Sequence, residues 1–424
     1  MPKIKDKYQW IVGTAPPVLD QHSAVKHAIV ESYVYRYIKT VMAPAHIPKL
    51  TLTLVDGFCG GGQYLSEDGQ NLFDGTPLLM LKAVQRARVE LNLGRHTRQR
   101  DIDAEYFFVD NNPETIKYLD WHLTGQRSIR SFDDVDAARV QTRAQSFLEA
   151  LPNIVDRVKA RKGGGRVIFL LDQYSYTAVP METLRWLMGE LPGAEIILNF
   201  NVDSMFTYLS KLEKNRKPLR AIGLEEYMPW EQLPYIKSKS DWRAVLQRHV
   251  AHGLKKATGA PFMTLFFVRP SQVNSWSYWL VHLSRRYKAH DVMKQLHWEH
   301  SSEFGHELEP GLFMLGYNPR SDESYSRQSP LLFGPDAGEQ CVNQLVDQLG
   351  RSLSETSQPV SLQQFFEQHI SNTMADESRL QMVVQRLHSA GNIIVSNKDA
   401  RVRRVSKNYA LTDVIEHSRQ IIII

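Results

Sequence analysis

The chain has 424 residues, 42% hydrophobic and 23% charged, with a net charge of +5 and a pI near 8.9. These fractions are those of an ordinary globular protein, and the length allows a large domain and a smaller one. Only Cys59 and Cys341 are present, which excludes a disulfide framework and a four-cysteine zinc site. We expect a cytoplasmic protein without signal peptide or membrane span, because no segment has a long apolar run.

Hydrophobic spacing predicts a helix first and then a series of strands separated by helices. Residues 21–42 place apolar side chains at helical spacing. The runs predicted as sheet strands are Leu52–Val55, Tyr106–Val109, Ala138–Ala144, Val167–Leu171, Ile196–Phe200 and Phe262–Val268. Tyr278–Leu283 is expected to complete the sheet as an antiparallel edge strand. This alternation predicts an α/β fold with a doubly wound, mostly parallel, Rossmann-like sheet.

A glycine-rich turn follows the first strand, in the sequence Val55-Asp-Gly-Phe-Cys-Gly-Gly-Gly-Gln-Tyr64. Gly60 and Gly62 permit positive backbone dihedrals and leave room for a ligand near the backbone. Asp56, at the strand end, can accept a hydrogen bond from an ammonium group, and Asp110, at the end of the next strand, can accept from ribose hydroxyls. This arrangement is typical of class I methyltransferases, which bind S-adenosylmethionine (SAM).

Two other nucleotide sites fit the turn less well. A phosphate-binding loop needs a Lys-Ser or Lys-Thr pair, which is absent after Gly62. A dinucleotide fold places its acidic residue about 20 residues after the glycines, and Asp110 follows at more than twice that distance unless an insertion intervenes. Gln145 or Ser146 is the expected contact to the adenine. Lys26 either neutralises the cofactor carboxylate or is a surface lysine.

The strand Val167–Leu171 ends in Asp172-Gln-Tyr-Ser-Tyr176, at the edge of the sheet where ligands bind. Methylation of an exocyclic amine requires acceptors for its N–H protons and an aligned nitrogen lone pair. Asp172 and the carbonyl of Gln173 are the candidate acceptors, and Tyr174 or Tyr176 is a candidate to stack on a base. The alternative is that Asp172 caps the next helix and both tyrosines are partly buried.

Two basic insertions, near residues 84–104 and 205–258, interrupt the predicted core. The second contains Lys214, Arg216 and Lys217. Each insertion is either a nucleic-acid contact or a solvated charged face.

The C-terminal part changes pattern. We predict an N-terminal helical segment at 1–50, a methyltransferase-like domain at 51–328, a linker with a short amphipathic helix at 329–356 and a winged-helix-like domain at 357–424. Two helices there precede two short strands, Ile393–Val395 and Tyr409–Leu411. The loop between these strands is basic and carries Arg401, Arg403, Arg404 and Lys407. Such a wing binds phosphates, or the domain binds protein instead.

A metal site is not expected. His297 and His300 share a helical face near His306-Glu307, but no further ligand follows at a recognised spacing.

The ordered motifs resemble those of the three-Cys-motif partner proteins (TcmP), bacterial methyltransferase-like proteins encoded beside a predicted radical-SAM-like protein. The matching segments are His22…Lys26-His27, Val55–Tyr64, Gly75-Thr-Pro77, Asp172–Ser175, Ile197–Phe200 and Met293-Lys…Trp298. The front half also resembles the 23S ribosomal RNA adenine-N6 methyltransferases. These resemblances imply SAM as cofactor, a cofactor-carboxylate contact for Lys26, catalysis by Asp172, a nucleic-acid substrate and a radical-SAM-like partner.

The catalytic motif departs from both families. The ribosomal enzymes have Asp-Pro-Pro-Tyr and the partner family typically Asp-Pro-Phe-Gly, whereas this chain has Asp172-Gln-Tyr-Ser175. Loss of proline loosens the turn. The expected function is methyl transfer to a nucleic-acid base amine. The alternative is a SAM-fold binding protein with altered chemistry, acting with the radical-SAM-like partner or in mobile-element defence.

Overall fold

A computed structural model describes residues 8–128, 136, 138–239, 242–268, 278–300, 337–355, 358–370 and 373–418. These residues fall into two compact units. The first comprises Met1–Tyr227, Gly253–Met263 and Val268–Val292, and the second comprises Met228–His252, Thr264–Phe267 and Met293–Ile424. No helix in the described ranges is both long and apolar enough to cross a membrane.

The central sheet is built as its sequence predicts, from strands that alternate with helices. The elements are α1 (Gln21–Val41), β1 (Lys49–Asp56), β2 (Gln63–Leu65), β3 (Leu72–Asp74), α2 (Thr76–Asn92), β4 (Asp101–Asp110), α3 (Pro113–Ser128), β5 (Val140–Ala144), α4 (Phe147–Ala160), β6 (Arg166–Leu171), α5 (Met181–Glu190), β7 (Gly193–Phe200), α6 (Val202–Tyr208), α7 (Glu213–Ala221), α8 (Leu233–Lys237), α9 (Trp242–Thr258), β8 (Phe262–Val268), β9 (Tyr278–Ser284) and α10 (Tyr287–His300).

The strand order is β5-β4-β1-β6-β7-β9-β8 among the described residues. Strands β5, β4, β1, β6 and β7 are parallel, and β9 is antiparallel to β7. Since helices cover both faces, strands such as β6 are apolar throughout rather than alternating. The predicted doubly wound Rossmann-like sheet is confirmed. The prediction that Tyr278–Leu283 forms the edge strand was wrong, because β9 lies between β7 and β8, and β8 is at the edge.

A buried polar network fixes α1 against the sheet. Glu195 of β7 accepts hydrogen bonds from Ser284 Oγ at 3.1 Å and from Tyr33 of α1 at 3.4 Å, and lies 3.1 Å from His282 Nε2. Burial raises the pKa of Glu195, and these hydrogen bonds offset the rise only in part. Buried polar groups need such partners, so the network sets the position of α1 and therefore of Lys26, two turns earlier.

The first basic insertion serves the fold. Arg100 is buried, and its guanidinium donates to the backbone carbonyls of Met42, Pro44 and Ile47. Arg88 makes a two-pronged contact with Asp136 at 2.7 and 2.9 Å. These arginines hold the segments that flank β1 and β4, which sequence alone does not reveal.

In the C-terminal part of the second unit, the described residues between 337 and 418 form three helices and a small sheet. Its elements are α11 (Ala337–Glu355), β10 (Val360–Ser361), α12 (Leu362–Ile370), α13 (Glu377–Ser389), β11 (Ile393–Ser396) and β12 (Val414–His417). The sheet order is β10-β12-β11, with antiparallel pairs. Helix α11 occupies most of the range predicted as a linker and is longer than the short helix expected there. Arg386 of α13 contacts Asn343 and Glu339 of α11.

The second wing strand was wrongly predicted at Tyr409–Leu411. Tyr409 is buried, but the side-chain amide of Gln381 bonds both its N–H and its C=O at 3.1 Å. Because the backbone of Tyr409 is satisfied by Gln381, it does not join a strand ladder. The strand forms a few residues later, as β12.

Candidate functional site

The predicted site residues converge at the carboxyl edge of the sheet. In the register, Asp56 at the end of β1 lies beside Phe108 of β4 and Leu170 of β6. Asp110 and Asp172 each follow two residues beyond those neighbours. Three carboxyl groups from adjacent strands therefore meet at the strand ends, where open α/β sheets bind ligands.

Asp56 is fully buried and has two protein partners. Its Oδ1 accepts the Phe58 N–H at 3.2 Å, and its Oδ2 accepts the hydroxyl of Thr76 at the start of α2. Burial raises the pKa of Asp56 to about 7, against the lowering effect of both hydrogen bonds. The carboxyl group therefore ties the glycine turn to α2, and proton loss from it occurs near neutral pH.

Asp110 is better placed to meet a ligand, since it is only partly buried. Its Oδ2 accepts the Gly60 N–H at 3.3 Å, and its Oδ1 accepts the Asn112 N–H at 2.9 Å. Burial raises the pKa of Asp110, and these two hydrogen bonds partly reverse the effect. The contact links the end of β4 to the glycine turn.

The glycine turn is confirmed in its backbone geometry but is covered by an aromatic side chain. Gly60 and Gly62 have φ of +59° and +76°. A Cβ on Gly60 would lie 2.8 Å from the indole of Trp10, and one on Gly61 would lie 2.3 Å from it. Glycine is required here because Trp10, which the sequence analysis missed, packs directly on the turn.

Lys26 and Asp172, predicted separately, form an ion pair. Lys26 Nζ lies 2.7 and 2.8 Å from the two Asp172 oxygens, and Asn199 Nδ2 donates to Asp172 Oδ1 at 2.7 Å. The side chain of Lys26 is 8% exposed and that of Asp172 is 26% exposed. Burial alone would raise the pKa of Asp172, but the Lys26 charge and these hydrogen bonds outweigh it, so its pKa is lowered. Asp172 is therefore ionised and held in one orientation.

The residues after Asp172 have distinct environments. Tyr174 is 78% exposed, whereas Tyr176 is 8% exposed and its ring centroid lies 6.0 Å from that of Phe200. Tyr174 is therefore accessible, whereas Tyr176 is a core residue, which corrects the expectation that Tyr176 could stack on a base. Gln173 is fully buried, and its Oε1 accepts the Val179 N–H at 3.0 Å. That hydrogen bond closes the loop after Asp172.

Two further predicted positions lie at the end of β5. Gln145 is half-buried and follows the strand directly. Ser146, weighed as an alternative adenine contact, is instead the N-cap of α4, where its hydroxyl and Glu149 form a capping box. Gln145 therefore remains the candidate.

The basic residues predicted to bind nucleic acid divide into exposed and paired groups. In α7, Lys214 and Lys217 are exposed, but Arg216 NH2 lies 2.7 Å from Glu225 Oε1. In the wing, Arg403 Nε lies 2.7 Å from the buried Asp413, so Arg403 has a structural role. Arg401, Arg404 and Lys407 are exposed.

A metal site is not evident in the described part of the chain, where no three His, Cys, Asp or Glu side chains cluster suitably. His306 and Glu307, weighed as ligands with His297 and His300, lie outside the described residues.

A comparison with known protein families supports the predicted C-terminal winged-helix domain. A family model described as a GMT-like wHTH (winged helix-turn-helix) domain matches residues 316–400. No curated protein sequence gives a match.

Solved structures that resemble the chain are distant in sequence. A Legionella pneumophila protein of family DUF519 has 9% identity and TM-score 0.38, covering 67% of this chain and 93% of that one. The bifunctional kinase-methyltransferase WbdD has 11% identity and TM-score 0.32, covering 67% of this chain, which spans 44% of WbdD. Magnesium protoporphyrin IX methyltransferase from Synechocystis, with bound SAM, has 13% identity and TM-score 0.22, covering 61% and 80%.

Since these TM-scores are low, the class of fold rests on strand order and on the reversed β9. The chain has a Rossmann-like, methyltransferase-type α/β fold and a C-terminal winged-helix domain.

Replacing Lys26 tests the ion pair. Lys26→Met leaves the Asp172 carboxylate partly buried without its cation, so we expect a loss of about 1–3 kcal/mol in unfolding free energy near pH 8. The lowered pKa of Asp172 makes its stabilising contribution present at high pH and lost as pH falls. The difference in unfolding free energy between variant and wild type, measured by urea unfolding, should therefore be smaller at acid pH. Lys26→Arg is the control, and a pH-independent deficit would contradict this account.

Replacing Asp56 tests its buried, near-neutral carboxyl group. Because the folded pKa of about 7 exceeds the ordinary value of 3.8, Asp56 destabilises the fold progressively as pH rises through that interval. Asp56→Asn should remove this dependence and be more stable than the wild type at pH 8 by up to roughly 4 kcal/mol. Urea unfolding at pH 5 and 8 measures the difference. Equal pH dependence in both proteins would show that the carboxyl group titrates normally.

Proposed function

We propose that this protein binds SAM and transfers its methyl group to an exocyclic amine of a nucleic-acid base, as a protein of the TcmP type. The observation that carries the proposal is the Lys26–Asp172–Asn199 cluster, which lies at the strand ends together with Asp56, Asp110 and the glycine turn. Separate predictions from distant parts of the sequence thus meet in one place.

The chemistry of the groups present fits SAM. Asp110 would accept the ribose hydroxyls, Asp56 the ammonium group, and Gln145 would contact the adenine. Lys26 would neutralise the cofactor carboxylate, and Gly60 and Gly62 would admit the methionine part beside the backbone. When bound, the cofactor supplies the electrophilic methyl group.

The acceptor side of the site is formed by Asp172 and Asn199. Asp172 is ionised, so it can accept an N–H proton of the amine and direct the nitrogen lone pair. The Oδ1 of Asn199 is buried and has no hydrogen-bond partner among the described residues, which leaves it as a second acceptor. Tyr174, exposed beside them, would stack on the base.

A nucleic-acid substrate is favoured by the wing and by α7. Arg401, Arg404 and Lys407 are exposed in the wing, directly after the residues that the wHTH model matches, and Lys214 and Lys217 are exposed in α7. Positive side chains of this kind neutralise phosphates and release counterions.

A specific contact favours the alternative of a binding protein without transfer activity. Lys26 bonds both oxygens of Asp172, so the carboxylate is already occupied by an internal cation. Such a protein would bind SAM and act with a radical-SAM-like three-Cys-motif partner or in mobile-element defence. Transfer of radiolabelled methyl groups from SAM to DNA, ribosomal RNA or transfer RNA separates the two functions.

Changing Asp172 tests the catalytic assignment. Asp172→Asn should lower methyl transfer by about 100-fold or more, because the amide cannot accept an N–H proton as well as the carboxylate. SAM affinity by calorimetry should be kept or improved, since Lys26 is released. Glu182→Gln, a carboxylate-to-amide change at an exposed position in the first turn of α5, is the control with normal transfer. Unchanged transfer in Asp172→Asn would remove this residue from the mechanism.

Changing the wing tests nucleic-acid binding. The double change Arg401→Ala and Arg404→Ala should weaken binding to labelled RNA or DNA and reduce the salt slope of log K by up to about 2. Lys117→Ala with Lys162→Ala, exposed lysines of the first unit, provides a control of equal charge.

Arg403→Ala gives a contrast within the wing, because it removes the contact with buried Asp413. It should lower the thermal midpoint of the domain more than it changes the salt slope. A salt slope unaffected by the Arg401 and Arg404 changes would indicate that the wing contacts protein.

A further inference from the structure

The glycine turn is covered by residues 8–20, which we call the N-terminal strap. The Trp10 indole lies against Gly60 and Gly61, at distances where neither position could carry a Cβ. Trp10 is 6% exposed, so almost none of this face of the turn is open to solvent. The strap thus occupies space beside the backbone that glycines would otherwise leave to a ligand.

The indole is held by polar and aromatic contacts. Trp10 Nε1 donates to the Gln63 carbonyl at 2.8 Å. The Tyr8 ring stacks on it with centroids 5.9 Å apart, and the Tyr64 ring meets it edge-on at 5.4 Å. Tyr8 in turn donates its hydroxyl hydrogen to Asp20. Of these contacts, the hydrogen bond to Gln63 alone involves the backbone of the turn, so Trp10 can leave without breaking the turn.

The strap is anchored at its far end, and its middle is an exposed turn in which Thr14 N donates to Ile11 O at 3.0 Å. Leu19 N donates to Leu65 O at 2.8 Å, and Leu65 N donates to Pro17 O at 2.9 Å. Residues 11–15 between the two ends are exposed. Gly13 has φ of +88°, and a Cβ added there would have no described atom within 4 Å. The aromatic end can therefore swing away while residues 17–19 stay paired with β2.

The other ligand-binding groups are satisfied internally in the same way. Lys26 is held by Asp172, Asp56 by Thr76 and Phe58, and the Gly60 N–H by Asp110. A ligand at these groups would therefore have to compete with partners from the chain itself.

We propose that the strap is an intramolecular gate, in which Trp10 occupies the glycine turn and must leave before SAM binds. This inference rests on the proposed function, since it assigns SAM to the same turn. The observed affinity is then reduced by the fraction of molecules whose strap is open. The gate gives the site a means of control by any partner that captures the displaced aromatic residues.

Calorimetric titration of the full chain with SAM tests the gate. If the strap is closed in nine of ten molecules or more, Trp10→Ala should bind SAM at least about tenfold more tightly than the wild type. Tyr8→Ala, which removes the stacking ring and leaves the indole, should give a smaller gain. Trp186→Ala removes a partly exposed indole from α5 and is the matched control, with no expected change.

A second measurement, made on the wild-type protein, keeps the test valid if the Trp10→Ala variant fails to fold. In wild-type protein labelled with 5-fluorotryptophan, the Trp10 resonance, assigned from its absence in Trp10→Phe, should shift on SAM addition while that of Trp186 stays unchanged. Equal or weaker SAM binding by folded Trp10→Ala, or an unmoved Trp10 resonance at saturation, would show that Trp10 is a fixed wall of the site. Absence of SAM binding by wild type and variants alike would overturn the proposed function together with the gate.

Discussion

The positive charge of Lys26 keeps one of the three carboxyl groups at the edge of the sheet ionised. Asp56, Asp110 and Asp172 end three adjacent strands, and the charges of the other two raise the cost of ionising Asp56. Of the three, Asp172 is the one that the described residues provide with a buried cation, and its pKa is lowered, while burial raises the pKa of the other two. The Lys26 charge therefore keeps Asp172 ionised, whereas burial favours the protonated forms of Asp56 and Asp110.

That lysine is positioned by the fold rather than by its neighbours in sequence. Helix α1 carries both Lys26 and Tyr33, and Tyr33 belongs to the buried network around Glu195. Because that network fixes α1 on β7 and β9, the Lys26 ammonium is brought over the end of β6. Helix α1 thus connects the polar network around Glu195 to the site and fixes the position of Lys26, as precise sites require.

Structural features that depend on neighbouring residues in the sequence could be predicted. The apolar run of β1, the acidic residue at its end and the glycines after it are local features, so the sequence predicted correctly that Asp56 and Asp110 end strands and that Gly60 lies in a turn. Prediction failed where partners are distant. Three contacts illustrate this: Trp10 packs on Gly61, Gln381 bonds the backbone of Tyr409, and Arg403 pairs with Asp413. Each joins residues that are distant in sequence, so hydrophobic periodicity does not predict it. A positive-φ glycine run predicts close approach, but it does not say whether a ligand or a side chain approaches.

The same distinction bears on the loop after Asp172. A proline at position 173 would stiffen this turn through its backbone ring. Gln173 instead sends its side chain inward, where Oε1 accepts the Val179 N–H and spans the loop. This buried hydrogen bond stabilises the loop in place of a proline ring. Lys26 and Asn199 hold Asp172 further. In the proposed function, the availability of Asp172 therefore depends less on the absent proline than on whether a carboxylate ligand displaces it from the Lys26 ammonium group.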